Sequence, residues 1–165
     1  MNNLSIVFDA SGTCFVCGEN DRGQLGVGHT DRINTFTALP APSSNNTKIK
    51  FVRVFCGGDF SFFESDTKQW YCVGDNSNGQ LGLGHISDTI NQLTPVSLPS
   101  PSLKIDFVSC GEYHTIFVCE DGVTCFGCGR NQYGQLGLAH NTLKVPTPTK
   151  IAIPNNNIIK QVSCG

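Results

Sequence analysis

The sequence predicts an all-β protein made of three copies of one four-stranded antiparallel unit, the arrangement of blades in a β-propeller. A glycine-rich box begins at Gly18, Gly74 and Gly129, with spacings of 56 and 55 residues. A Cys-Gly pair recurs every 54 residues. Two independent markers with one period indicate internal repetition, and a period of about 50 residues is typical of propeller blades. Charged residues make up 15% of the chain, which disfavours a long-helix protein.

Each unit is expected to contain four short strands. In the third unit they run from Thr115 to Cys119, Thr124 to Gly127, Thr147 to Ile151 and Ile158 to Val162. Asp121-Gly122, between the first two strands, is a hairpin signal. The glycine-rich box follows the second strand as a loop, and a proline-bearing stretch leads to the fourth strand.

The box residues are expected to be structural. Its glycines suit positive φ and close backbone approach, its glutamine amide ties the loop to the backbone, and its histidine ring bonds the adjacent loop. One histidine in every repeat argues against a catalytic base, which occurs once in one pocket. The structural set is Gly18, Gly23, Gln24, Gly26, His29, Gly74, Gly79, Gln80, Gly82, His85, Gly129, Gly134, Gln135, Gly137 and His140.

The chain is predicted to be a single repeat array over residues 1–165, with units at approximately 1–57, 58–111 and 112–165. The pattern Gly-x-Asn-x-x-Gly-Gln-Leu-Gly-x-Gly-His, followed by Val-x-Cys-Gly, resembles the regulator of chromosome condensation repeat. The resemblance implies a propeller that normally has seven blades. Three four-stranded blades therefore form an incomplete propeller: a fragment of a longer array, an open arc, or a chain that self-associates through its open blade faces.

The resemblance also implies function. Family members are exchange factors for the Ran GTPase or interaction modules beside other domains. We expect a non-enzymatic protein-interaction module that binds a protein partner through blade loops. The alternatives are guanine-nucleotide exchange on a Ran-like small GTPase, or a fragment of a longer propeller. The sequence offers no catalytic constellation and no cofactor fingerprint, so no catalytic residues and no cofactor are expected.

Six residues are candidates for partner binding. In the family, acidic and histidine residues on loops of one face meet the GTPase, which points to Asp59, Glu112 and His114. His114 has an alternative as a strand-start residue bonded within its blade. Variable loop residues add Asp31, Arg32, Asp88 and the loop from Ser43 to Thr47.

The nine cysteines raise the alternative of a metal site, because Cys14/Cys17 and Cys125/Cys128 are two C-x-x-C-G pairs. The sequence favours packing instead, since the equivalent positions of the second unit are Trp70 and Val73 and an i, i+3 pair on a strand faces opposite ways. No metal is therefore expected.

Charge and hydropathy restrict the partners. There are 11 basic and 13 acidic residues and no basic run, so direct nucleic-acid binding is not expected. No apolar stretch approaches a membrane span and no signal peptide is visible. Many cysteines without a secretion signal favour an intracellular protein, cytoplasmic or nuclear.

Overall fold

The computed structural model describes residues 3–40, 42–44 and 47–165, and its three antiparallel sheets confirm the all-β fold. The first sheet has the order β1-β2-β3, with β1 at Leu4–Phe8, β2 at Cys14–Gly18 and β3 at Ile33–Ala38. A small hairpin of β4 (Ser43–Ser44) and β5 (Thr47–Lys48) follows it. Four strands were expected in every sheet, and within the described ranges the first sheet contains three.

The second and third sheets are four-stranded meanders, as predicted. The second contains β6 (Phe51–Cys56), β7 (Phe60–Ser65), β8 (Trp70–Asn76) and β9 (Ser87–Pro95). The third contains β10 (Ile105–Cys110), β11 (His114–Cys119), β12 (Cys125–Arg130) and β13 (Lys144–Ile151). A short 3₁₀ turn, Pro154–Asn156, follows β13.

In each four-stranded sheet, the first strand ends at the cysteine of a Cys-Gly pair. Pairing of β6 with β7 places Cys56 opposite Ser61, and pairing of β10 with β11 places Cys110 opposite Thr115. The unit boundaries predicted after residues 57 and 111 thus fall between the first and second strands of a sheet. Pairing two strands across this short turn costs less loop-closure entropy than pairing β9 with β10 across the long proline-bearing linker would cost.

The strand predicted from Ile158 to Val162 is not observed. Within the described residues this segment has no strand pairing. Isolated hydrogen bonds hold this segment instead. The Ile159 amide donates to the Gly122 carbonyl at 2.7 Å, and the Cys164 amide donates to the Ser109 hydroxyl at 3.0 Å. A strand needs a partner edge, and β10 already occupies the free edge of β11.

The sheets pack face to face, and the second sheet is buried on both sides. Phe51, Phe63 and Tyr71 belong to the cluster shared with the first sheet. Phe62 belongs to the cluster shared with the third sheet, where its ring lies 5.5 Å from Phe117 at an interplanar angle of 83°. Alternation along β7 therefore fills two cores, which is the pattern of adjacent propeller blades.

A third, smaller cluster lies on the other face of the third sheet. Val118, Cys125 and Ile151 are buried there, and Ile159 and Val162 from the chain's last segment pack against them. This segment therefore covers part of the outer face of the third sheet.

Candidate functional site

The Cys-Gly pairs (56–57, 110–111 and 164–165) and the glycine-rich boxes (18–29, 74–85 and 129–140) lie at the same end of the sheets. We call this end the loop face. The Gly57 amide donates to the Phe60 carbonyl at 2.8 Å, and the Gly111 amide donates to the His114 carbonyl at the same distance. A Cβ atom on Gly57 would lie 2.8 Å from the Gly111 carbonyl oxygen, and one on Gly111 would lie 2.8 Å from that of Gly165. The three Cys-Gly pairs therefore stack directly on one another, and the stacking leaves no room for a side chain at Gly57 or Gly111.

A depression of about 360 Å³ opens where these Cys-Gly pairs meet. Its walls are the three Cys-Gly pairs and the residues that follow two of them: Cys56, Gly57, Gly58, Asp59, Cys110, Gly111, Glu112, Tyr113, Cys164 and Gly165. Two of the predicted partner-binding residues, Asp59 and Glu112, are thus brought together on one surface.

Asp59 lies in an acidic environment. Partial burial raises the pKa of its carboxyl group, and the like charges of Asp75 and Glu19 raise it further, with Arg22 acting in the opposite direction. Glu112 is exposed. Its carboxylate accepts a hydrogen bond from the Tyr113 hydroxyl, and this bond raises the pKa of Tyr113. The centre of the loop face therefore carries concentrated negative charge.

An arginine flanked by two tyrosines lies beside this acidic group. The Arg130 guanidinium lies 5.5 Å from the ring centre of Tyr113 and 5.7 Å from that of Tyr133. Tyr133 is 82% exposed. Sequence reasoning missed this group; the available signal was that Arg130 and Tyr133 occupy variable positions of the third box.

His114 does not line the depression, because its ring lies beneath the turn. A Cβ atom on Gly111 would lie 2.3 Å from His114 Cε1, just as one on Gly57 would meet the Phe60 ring. Burial lowers the pKa of His114, so its neutral form is favoured. In this geometry His114 takes the packing position that Phe60 takes in the second sheet.

The other three predicted binding residues, Asp31, Arg32 and Asp88, are exposed in the segments that follow the first two boxes. Asp31 Oδ2 lies 3.7 Å from His29 Nδ1. They share the loop face with Asp59 and Glu112 but are not among the residues that line the depression. In the predicted loop from Ser43 to Thr47, Asn45 and Asn46 lie outside the described residues.

The boxes are held by an asparagine that the sequence reasoning left out. Asn20 Nδ2 donates to the carbonyls of His29, at 2.8 Å, and Asp31, at 3.1 Å, while its Oδ1 accepts from the Leu25 amide at 3.0 Å. Asn76 and Asn131 make the equivalent bonds to the histidine carbonyl and the leucine amide. Its recurrence at the third box position was the signal.

The predicted box residues also make repeated contacts. Gln24, Gln80 and Gln135 each accept, through Oε1, a bond from the backbone amide two residues earlier, at 2.9 to 3.0 Å. His29 Nδ1 accepts from the Asp31 amide at 3.2 Å, and His140 Nδ1 accepts from the Thr142 amide at 3.3 Å.

The cysteines do not form a nucleophilic or metal-binding arrangement in the described part of the chain. Burial raises the pKa of Cys14 to about 12 and that of Cys119 to about 11, so these thiols stay protonated near neutral pH. Cys125 and Cys128 lie in different apolar clusters. Among residues 3–40, 42–44 and 47–165, no three His, Cys, Asp or Glu side chains are placed to hold a metal ion.

No helix in the described ranges has the length and apolar character needed to cross a membrane.

The family comparison matches nearly all of the chain. The model of the regulator of chromosome condensation (RCC1) repeat matches residues 11–63, 69–118 and 124–165. The chain is 33% identical over 152 residues to the ultraviolet-B receptor UVR8 of Arabidopsis thaliana, covering 90% of this chain and 32% of that protein. It is 31% identical over 151 residues to the secretion-regulating guanine nucleotide exchange factor of Mus musculus, covering 91% and 31%.

A solved structure gives the same fold. Prp20p from Saccharomyces cerevisiae superposes with a TM-score of 0.83 at 17% identity, covering 99% of this chain and 40% of that one. The chain thus spans about a third of the length of these two relatives and less than half of Prp20p.

Proposed function

The chain belongs to the regulator of chromosome condensation (RCC1) repeat family, and on that premise we propose that it is a non-enzymatic interaction module that binds a protein partner through its loop face. The observation that carries the proposal is that the loop residues form two groups, buried ones that repeat and surface ones that vary between repeats. The repeated asparagines and two of the three box glutamines are fully buried, whereas Glu112, Arg130 and Tyr133 differ between repeats and reach the surface.

The chemistry of the loop face favours a basic protein surface as the partner. Asp59 and Glu112 line the depression, and Glu19 and Asp75 are close enough to raise the pKa of Asp59. A cationic group docked there would relieve this repulsion, and complementary charge also speeds encounter. Arg130 and Tyr133 add the residue types that are enriched at protein interfaces.

The direct test places a photo-crosslinking amino acid at Glu112, with a matched position at Asp121 on the opposite end of the third sheet. In an extract of the source cells, we expect a discrete protein adduct from position 112 that excess unmodified chain suppresses. A double variant, Asp59→Asn with Glu112→Gln, should suppress it at least ten times less well. The same adducts from both positions would contradict a partner-binding role for the loop face.

A second candidate is guanine-nucleotide exchange on a Ran-like small GTPase. It is favoured by the similarity to the mouse exchange factor and by the likeness in fold to Prp20p, whose structure was described with its binding to Gsp1p and histones. Exchange requires no covalent chemistry. It requires a surface that binds the nucleotide-free GTPase more tightly than the loaded form.

Release of a fluorescent GDP analogue from a purified Ran-like GTPase tests this candidate. Exchange activity predicts a release rate that rises with chain concentration and falls at least tenfold for the Asp59→Asn, Glu112→Gln double variant. An unchanged rate at high chain concentration would exclude exchange on that GTPase while leaving the interaction module in place.

The proposed setting is inside the cell, in the cytoplasm or nucleus. All nine cysteines are free thiols, and several are buried in apolar clusters where they act as packing groups. Reduced thiols in this number suit a reducing compartment.

A further inference from the structure

We propose that Ser100 is a phosphorylation site whose phosphate is held by Lys68 and Lys104. The site lies in a groove between the second and third sheets, at the end of the sheets opposite the loop face. Both sheets around this groove have four strands. The proposal therefore depends neither on the loop face nor on the outer faces of the first and third sheets.

The groove has a volume of about 200 Å³ and lies beside the linker that joins β9 to β10. Trp70 of β8 lines it, and the Trp70 Nε1 group donates to the Ile105 carbonyl of β10 at 3.2 Å, which joins the two sheets. Among the described residues, the charged ones that line the groove are both lysines, Lys68 and Lys104. Two cations that share one groove favour the binding of an anion.

Lys68 occupies a backbone position that suits glycine. Its φ is 65°, whereas the equivalent turns of the first and third sheets have Gly12 at 82° and Gly122 at 71°. A side chain in the left-handed region is unfavourable, which points to a role for the ammonium group of this lysine. Lys68 Nζ donates to Glu64 Oε1 at 3.0 Å. This bond takes one of the three donors of an ammonium group, so the other two can bond a further acceptor.

Lys104 directly precedes β10 and has a fixed backbone and a free side chain. Its carbonyl accepts from the Glu120 amide at 2.9 Å, as the Lys50 carbonyl accepts from the Asp66 amide at 2.9 Å in the preceding repeat. In the described ranges, no carboxylate lies within ion-pair distance of the Lys104 ammonium group, and the residue is exposed. Lys104 can therefore bind an anion in the groove without breaking an existing ion pair.

Ser100 precedes a proline in the linker. The chain contains three Ser/Thr-Pro pairs, and the other two, at Thr94 and Thr147, lie within β9 and β13. Proline-directed protein kinases act on a serine or threonine directly before proline, and they bind the substrate as an extended, unpaired segment. Residues 97–104 form no strand, so this segment opens at lower free energy than a paired strand. Ser100 is therefore the residue of the three that a kinase can reach.

The linker holds Ser100 beside the two lysines. Leu98 and Leu103, on either side of it, pack against the apolar cluster between the second and third sheets. The Leu103 amide donates to the Ser100 carbonyl at 3.1 Å, which forms a turn with Pro101 and Ser102 exposed. Ser100 lines the groove together with both lysines. A phosphate on this hydroxyl is therefore attached close to both ammonium groups.

The modification adds an anion to this groove. The γ-phosphoryl group of ATP passes to Ser100 Oγ: an oxygen–phosphorus bond forms, and the bond from the γ-phosphorus to the β–γ bridging oxygen breaks. ADP leaves, and the hydroxyl proton passes to the kinase and then to water. At pH 7 the phosphate carries a charge of about −1.5 to −2 and three acceptor oxygens. Charge-assisted bonds from Lys68 and Lys104 then hold the linker against both sheets.

Phosphorylation in solution tests the site. The full chain is incubated with ATP, Mg²⁺ and a purified proline-directed kinase, and the modified residue is identified by mass spectrometry. We expect Ser100 to be modified roughly tenfold faster than Thr94 or Thr147, because the two threonines lie in paired strands. Ser100→Ala should abolish this modification, whereas Ser97→Ala, in the same groove, should leave its rate unchanged. No phosphate on Ser100, or faster modification of either threonine, would overturn the proposal.

Phosphorus NMR of the phosphorylated chain tests whether the lysines hold the phosphate. Nearby cations favour the dianion, so the second pKa of the phosphate should lie below about 6, the value of an unpaired phosphoserine, and should return to it in urea. Lys68→Gln with Lys104→Gln should remove the difference, and Lys104→Gln alone should reduce it without breaking the Glu64 ion pair. The control is Lys50→Gln, the equivalent of Lys104 in the groove between the first and second sheets. The same pKa in the folded and unfolded chains, or an equal effect of Lys50→Gln, would refute the lysine-held phosphate.

Discussion

At the scale of the single residue, the asparagine side chain of each box forms hydrogen bonds with backbone groups that have no partner strand in a loop. Asn76 donates to the His85 carbonyl at 2.9 Å and accepts from the Leu81 amide at 3.2 Å, and its side chain is fully buried. One amide thus fixes both ends of a loop and anchors the leucine that enters the inter-sheet core. The hydrogen bonds that support the loop face therefore lie below its surface.

Asn76→Ala should therefore destabilise the chain by about 2 to 3 kcal/mol, because it leaves the buried Leu81 amide and the part-buried His85 carbonyl without these bonds. The measurement is the urea midpoint at unchanged m value. Asn78→Ala is the control: among the described residues its side chain bonds only the Ser77 hydroxyl, and a loss below about 0.5 kcal/mol is expected. Equal stability of Asn76→Ala and the wild type would show that the box is held in another way.

Ala139 is the one box position where a left-handed backbone carries a side chain. Its φ is 59°, and the equivalent Gly28 and Gly84 have φ values of 91° and 79°. Ala139→Gly should stabilise the chain by about 0.5 to 1 kcal/mol, since relief of strain exceeds the added freedom of the unfolded chain.

The matched control for Ala139→Gly is Gly84→Ala, where a Cβ atom would have space but the wrong φ. Thermal unfolding should shift upward for the first variant and downward for the second. A downward shift for both would indicate that the methyl group of Ala139 packs favourably.

At the scale of the strand, β6 is tied to its own sheet and to the next one by an ion pair whose carboxylate is buried and whose basic partners reach the surface. Glu64 of β7 is fully buried and bonds Arg53 of β6 and Lys68 Nζ, the latter at 3.0 Å. Arg53 also bonds the Asp106 carbonyl of β10, and its guanidinium lies 5.6 Å from the Trp70 ring centre. This network joins the second and third sheets at the end opposite the loop face.

The Glu64 network predicts a pH dependence. Burial alone would raise the pKa of Glu64, but the bonds from Arg53 and Lys68 outweigh it and lower the pKa below 4.5. The native state then binds fewer protons than the unfolded state, so the contribution is complete above about pH 4.5 and is lost as pH falls through the lowered value. Glu64→Gln should cost about 1 to 3 kcal/mol at pH 7.

Urea unfolding of the wild type and Glu64→Gln at several pH values checks this expectation. The difference between the two should shrink as the pH falls below 4.5. Glu120→Gln, at an exposed position, should change stability by less than about 0.5 kcal/mol at every pH. A difference that is independent of pH would mean that shape rather than charge makes Glu64 stabilising.

Sequence reasoning succeeded for strands with local signals and failed where pairing is long-range. The turn at Asp121-Gly122 was predicted, and β11 and β12 flank it. The residue at which each sheet begins was not predicted, because a repeat can be divided at any point without changing its period. Ile158 to Val162 has the pattern of a strand, yet its pairing depends on an edge that no local pattern supplies.

At the loop face, sequence reasoning could place acidic residues beside the Cys-Gly turns, because the turns themselves repeat. It could not separate Glu112, which is exposed, from His114, which is buried two residues later. Nor could it find Arg130 and Tyr133, whose proximity to Tyr113 arises only when the third box folds over β11.

At the scale of the whole molecule, stability should decrease from the middle sheet toward the ends. Every residue of β7 and β8 is buried, because these strands lie between two apolar clusters. All but one residue of β3 are exposed. Amides with few packed neighbours open at lower free energy than amides of a core strand.

Hydrogen exchange measured by mass spectrometry tests this internal order. The amides of β7 and β8 should exchange slowest, because every residue of these strands is buried, and those of β3 should exchange fastest. Exchange in β3 as slow as in β7 would contradict the expected order.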